Sequence, residues 1–261
     1  MVALCGNPAQ SAPPDESAQD QTYRLAYRFE PGETIRWKVL HQARIRTTIG
    51  GTTQVAETTS ESVKVWTITD ANDQGQFTLE HSVASVDMRQ KLTGREEVRY
   101  NSLTDESPPP GFEQAAAKVG PVLSIVTMDP HGKILKRKEN IPSAKGPADD
   151  EQKEGSPDSA ITIPLPEEPV AVGHIWYLPT DVVVQLEGGQ TRQVKCRQRF
   201  QLKDVSRGIA TISVETQVLS PIDDPRIEAQ LIQREQRGTI RFDIASGKIR
   251  AQKMDLDKKV V

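Results

Sequence analysis

Cysteine is almost missing from this chain. Its 261 residues include two, Cys5 and Cys196, too few for a disulfide scaffold or a cysteine-ligated zinc site. Aromatic residues make up only 5%. No run of 18 uncharged apolar residues occurs, which excludes a membrane-spanning helix. Neither sign of charge dominates: 33 Lys+Arg face 36 Asp+Glu, a net charge of −3, whereas a dedicated nucleic-acid binder carries a basic footprint. Gly-x-Ser-x-Gly, phosphate-loop and dinucleotide fingerprints are all lacking, as are His-x-His and His-x-x-x-His spacings. The reading is therefore of a protein that is not an enzyme and takes no cofactor or metal.

What the chain does contain is period-two alternation. Over residues 33–49, Ile35, Trp37, Val39, Ala43, Ile45 and Ile49 share one parity, and Arg36, Lys38, Gln42, Arg44 and Arg46 take the other. That pattern is a half-buried strand, apolar side inward. Its length favours a large, strongly twisted sheet. Gly50-Gly51 supplies a hairpin turn. The return strand over 53–69 switches apolar parity between Val65 and Trp66, which predicts a bulge there. Asp70 to Gly75 is the next turn, Phe77, Leu79 and Val83 start a third strand, and Val98 with Tyr100 mark a short fourth. Residues 112–120 favour a short helix ended by Gly120-Pro121. A second helix is expected from Asp224-Pro225 to a terminating Gly238, with Asp224 as its cap.

The order of events then returns. Gly32-Glu33-Thr34-Ile35-Arg36-Trp37 is echoed by Gly173-His174-Ile175-Trp176, Gly50-Gly51 by Gly188-Gly189, and the turn at Asp73-Gln74-Gly75 by Ser206-Arg207-Gly208. Val126-Thr127-Met128-Asp129 with Gly132-Lys133-Ile134 is echoed by Thr239-Ile240-Arg241-Phe242-Asp243 with Gly247-Lys248-Ile249. Landmarks in one order suggest duplication of a β-meander. The fold class expected is thus all-β, mainly antiparallel, in two similar halves with one or two short helices. Four segments follow: a leader, 1–20; a first β-meander, 21–141; a polar linker, 142–160; and a second β-meander, 161–261, packed with the first as one unit. Met1-Val2-Ala3-Leu4 with Ala9-Gln10-Ser11-Ala12 reads either as the tail of a secretion signal lacking its front or as an ordinary floppy terminus.

In Tyr27-Arg28-Phe29-Glu30-Pro31-Gly32-Glu33, Met128-Asp129-Pro130-His131-Gly132, Pro169-Val170 with Gly173-His174-Ile175-Trp176, and Gly238-Thr239-Ile240-Arg241-Phe242-Asp243 with Gly247-Lys248, the chain resembles an uncharacterised family of bacterial envelope proteins. The resemblance covers most of residues 23–260 and implies an exported β-rich protein of the periplasm or cell envelope with no assigned activity; a cytoplasmic place is the alternative. At the level of architecture it is similar to the periplasmic lipoprotein carriers, whose curved half-barrels hold acyl chains.

Candidate contacts for a ligand are Trp37, Trp66, Trp176 and Tyr177, because aromatic rings supply large contact area. His41 and His81 share the parity of their apolar neighbours, so both are expected to point inward, either as core histidines or as the centre of an unrecognised catalytic site. Ser124 and Ser213 sit within strands and lack the elbow a serine nucleophile needs. Cys196 reads as a buried thiol. The basic alternation of Lys195, Arg197, Arg199 and Lys203 reads as a solvated sheet face, or else as a surface for anionic lipid or polysaccharide. Three functions compete: a non-catalytic module binding a lipid, another hydrophobic ligand or an envelope component on its curved sheet; a structural or interaction protein assembling through sheet edges or an exposed face; and an enzyme near His41 and His81.

Overall fold

Residues 21–140, 161–231 and 237–257 are described by a computed structural model of the chain. The expected leader and linker lie outside the described residues. The protein is all-β and antiparallel, with two short helices. After β1 (Thr22–Tyr23) come β2 (Thr34–Ile49), β3 (Thr52–Ala71), β4 (Phe77–Leu92), β5 (Val98–Asn101), helix α1 (Glu113–Ala117), β6 (Val122–Met128) and β7 (Ile134–Glu139). These six strands from β2 onward form one sheet in the order β2-β3-β4-β6-β7, with β5 beside the far end of β4. A short β8 (Val170–Ala171) pairs with β1. The second sheet has the order β9-β12-β13-β14-β15, built from β9 (Ile175–Pro179), β12 (Cys196–Ser206), β13 (Ile209–Val218), β14 (Arg237–Asp243) and β15 (Lys248–Asp255). Between β9 and β12 a separate ribbon of β10 (Val182–Gln185) and β11 (Thr191–Val194) packs against α2 (Pro225–Leu231).

Gly50 and Gly51 both take positive φ, 56° and 80°, so two residues suffice to pair Ile49 with Thr52 and reverse the chain. With that pair included, sixteen residue pairs run without a break. The bulge expected at Val65/Trp66 is absent. Trp66 faces the second sheet and Val65 the opposite side, and both are buried, so two consecutive apolar residues mark a strand covered on both faces. The bulges lie instead at Thr69 on β3 and Ala84 on β4, each skipped in the register.

The two sheets share one core. Trp66, Ile68, Phe77, Leu79, Val126 and Met128 of the first meet Phe200, Leu202, Ile212, Ile240 and Phe242 of the second. Two extended segments fill the space between them: Leu25, Tyr27 and Phe29 from one, Ile161, Ile163 and Leu165 from the other, all buried. Tyr27 stacks on Phe29 at 5.7 Å and meets Phe242 edge-on at 5.5 Å. Its hydroxyl donates to the Ile163 carbonyl (3.1 Å) and accepts from the Ile163 N–H (2.7 Å), joining the two segments. Burial pushes the Tyr27 phenol far above its ordinary range, against a smaller opposing effect of its hydrogen bond to Ile163.

Geometric correspondence between the sheets is close. Gly32 N–H bonds to Ile68 O as Gly173 N–H bonds to Leu202 O, and Ile68 N–H to Glu33 O as Leu202 N–H to His174 O. Thr69 and Lys203 are bulged residues at the same place in β3 and β12. Leu135 and Arg250 are likewise skipped opposite Thr127/Met128 and Arg241/Phe242. Asp129 Oδ1 accepts from the N–H groups of His131 and Lys133, and Asp243 Oδ1 from those of Ala245 and Ser246. In this frame the partner of Trp176 is Ile35, since each stands three residues after the matched glycine; Trp37 is not its counterpart.

Helix α2 starts as expected. Asp224 accepts from the Arg226 N–H at 2.9 Å, the main cause holding its carboxyl below the usual range. Gly238, however, lies inside β14 and does not end the helix. A Cβ there would stand 2.5 Å from Met254 Sδ, so its role is close approach of two strands.

Candidate functional site

The first sheet outgrows the second. Its core-facing side runs along β2 as Ile35, Trp37, Val39, His41, Ala43, Ile45 and, at the tip, Ile49. Burial falls along that row. Ile35 and Trp37 pack against the shared core, whereas Ile45 is 54% and Ile49 76% exposed. The last ten residues of β2 span roughly 30 Å, so the β2–β3 hairpin projects as an arm. β4 is covered along part of this length by a smaller cluster of Val83, Val86, Tyr100 and Phe112, with Ala116 of α1 packed on it.

His41 is therefore exposed, not inward as its parity suggests. Alternation places it on the core side of the sheet, but no core lies opposite that part of β2. His81 is buried and stacks on Trp66 at 4.2 Å with the rings 17° apart. His41 pairs with Ser60 and His81 with Trp66, six residues apart on β3 or about 20 Å. No paired imidazole site exists between them.

Sequence reasoning names Ser124 as a strand serine but misses its place beside His81. Ser124 pairs with it across β4 and β6 and is 1% exposed, its hydroxyl without a hydrogen-bond partner among the described residues. Its parity with Val126 and Met128 is the available signal. Trp66, His81 and Ser124 thus form one row across the sheet. Ser124 lies within β6 beside the bulged Leu123, and a nucleophile would need exposure and an oxyanion site instead.

The other aromatic candidates divide. Trp37 is half-buried against the core. Trp176 stacks on Phe200 at 5.7 Å, and its indole N–H donates to Pro164 O at 2.8 Å. Tyr177, one residue on, points to the outer face of the second sheet and is 47% exposed. The Arg197 guanidinium lies 4.3 Å over its ring.

Apart from Leu40, which is 58% exposed, the outer face of the arm is polar. Arg44 pairs with Glu57 at 3.4 Å and Lys38 with Glu61 at 2.8 Å, while Gln42, Glu57, Thr59, Arg89, Lys91 and Glu97 line a cleft of about 290 Å³. Its mixed charges offer nothing to an acyl chain. Cys196 is buried with Val184, Val194, Ile227 and Leu231. No cluster of three or more metal-ligating side chains occurs among the described residues, and no helix there is long and apolar enough to cross a membrane. Comparison of the chain with family models, curated proteins and solved structures finds no match.

Proposed function

We propose that this protein is a non-catalytic exported module that binds an envelope component on the exposed length of its curved first sheet. One observation carries the reading: the apolar side of β2 leaves the core and continues into solvent at Ile45 and Ile49. Within the sandwich, Trp66 and Trp176 are engaged by His81, Phe200 and Pro164. That engagement moves the binding surface from the aromatic residues to the arm and favours a macromolecular component over an enclosed acyl chain. Export rests on the motif likeness to envelope proteins. The matched bulges and glycine hydrogen bonds support descent of both sheets from one duplicated unit.

A second reading, assembly through sheet edges, is favoured by β2 itself, whose outer edge has no partner strand among the described residues. Site-specific photo-cross-linking in the native host separates the two. A photoreactive side chain is placed at Ile45, at Leu40 on the opposite side of β2, and at Gln76 in a distant turn. One envelope component captured from Ile45 alone supports the proposal. Equal capture of a second copy from Ile45 and Leu40 supports edge assembly, and no yield above that at Gln76 defeats both.

A further inference from the structure

We propose a second binding surface, for an acidic, uronate-bearing polysaccharide, on the outer face of the second sheet. The registers place Arg197, Arg199 and Asp204 of β12, Glu215 of β13, Arg237, Arg241 and Asp243 of β14, and Lys253 and Asp255 of β15 on that face. Apart from Asp243, which is paired with Arg250 at 2.7 Å, five cations thus face three carboxylates in a chain whose net charge is −3. Asp255 is already paired with Lys253 at 3.3 Å. Glu215 stands between Arg199 and Arg237 by register, and none of Arg197, Arg199, Arg237 and Arg241 has an ion-pair partner among the described residues. An alternating strand needs polar residues outward, but interspersed signs would serve that purpose equally well.

The details favour a sugar polymer over other polyanions. Arg197 Nε donates to Gln217 Oε1 at 2.9 Å and Arg199 to Gln201 Oε1 at 3.3 Å. These bonds hold two planar guanidinium groups while leaving further N–H groups to take a carboxylate in two-pronged fashion. Tyr177 supplies a half-exposed ring with the Arg197 guanidinium 4.3 Å over one face, so a sugar would stack on the other. A flat face of one aromatic ring, fixed guanidinium groups and side-chain amides suits stacking on a sugar and bonding to its hydroxyls and carboxylate. A membrane surface would favour flexible lysines and an inserting apolar rim, whereas this face carries Arg197, Arg199, Arg237 and Arg241 with only Ile175 and Ile209 as large aliphatic residues placed there by the registers.

The experiment is affinity electrophoresis and titration calorimetry of the intact protein at about 0.15 M salt, on the order of physiological strength. The probes are polygalacturonate, neutral dextran, polyphosphate and vesicles containing anionic phospholipid. Binding to polygalacturonate above all three others is expected. Tyr177→Ala and Arg199→Gln should each weaken it about tenfold, and Arg199→Lys should not restore it. Each variant must keep the wild-type melting temperature, and Arg241→Gln serves as the replacement if one does not. Ile45→Asp on the arm should leave this binding unchanged, so failure here is distinct from failure of the arm reading. No polygalacturonate binding, equal binding to polyphosphate or vesicles, or indifference to Tyr177→Ala overturns the proposal.

Discussion

Removing one oxygen atom from Tyr27 tests how the two halves are joined. Its hydroxyl is the polar link between the segment around Tyr27 and the segment around Ile163, as donor at 3.1 Å and acceptor at 2.7 Å. Tyr27→Phe keeps the ring and its packing on Phe29 and Phe242, so almost no cavity forms. What remains is an Ile163 N–H and carbonyl deprived of this partner in a buried place. An unsatisfied buried backbone group costs about 1–3 kcal/mol, and the loss expected for the variant is about 2–3 kcal/mol. For a chain of this length that is roughly a 5–10 °C fall in Tm. Urea unfolding followed by tryptophan fluorescence measures it, with the slope against denaturant unchanged. A loss under about 0.5 kcal/mol would refute the argument that this bond joins the segments. The sign with pH is also fixed. The folded-state pKa is raised, so the contribution of Tyr27 is complete below the unfolded value of 10.0 and is lost as pH rises beyond it. Tyr27→Phe should remove that alkaline component.

Glycine substitutions isolate close approach from backbone strain. Gly32 and Gly132 have φ of 84° and 82°, but a Cβ at Gly32 meets nothing, whereas one at Gly132 would lie 2.9 Å from the Tyr27 ring and closer still to Ile163 O. Gly32→Ala should lose about 1–2 kcal/mol in urea unfolding, and Gly132→Ala clearly more; equal losses would remove the close-packing argument. Ile49→Asp at the arm tip should change stability by no more than about 0.5 kcal/mol while abolishing the Ile45-directed cross-link, and a large Tm drop would mean the tip is covered. The Ser246 N–H, then Arg250, holds the Asp243 carboxyl down at about 2. Its stabilising effect is therefore present above the unfolded value near 3.8 and lost as pH falls from there to about 2. Asp243→Asn should flatten that part of the acid unfolding curve, and an unchanged curve would count against the turn's role.

Alternation is a good guide to strands here and a poor one to burial. Ile35 and Ile49 stand on the same side of β2, yet one packs on the core and the other is solvated, because the second sheet ends between them. Nothing local in the sequence encodes where an opposing sheet stops, and parity misplaces His41 for that reason. Val65 and Trp66 show the converse: consecutive apolar residues mark two-sided cover as well as a bulge. The two extended segments are harder to read, since residues 24–29 and 161–165 alternate like strands but bond mostly to turns. Only the register of the paired turns could expose Ile35, and not Trp37, as the counterpart of Trp176.

The glycines at the matched turns explain why the two halves pack as one unit. Gly132 ends the first sheet's β6–β7 turn and is closely approached by Ile163, which leads into the second sheet. Gly247, in the corresponding β14–β15 turn, is approached by Ala26 and Arg28, which lead into the first, and its carbonyl accepts from the Arg28 N–H. Each lead-in segment thus crosses to the other half's last turn. The two inner faces are filled in part from the other half: Tyr27 reaches Phe242 and Leu165 bonds to His131, while Phe29 meets Phe77 of the first sheet edge-on. Stability is consequently shared across the sandwich, and the projecting arm stands outside that exchange.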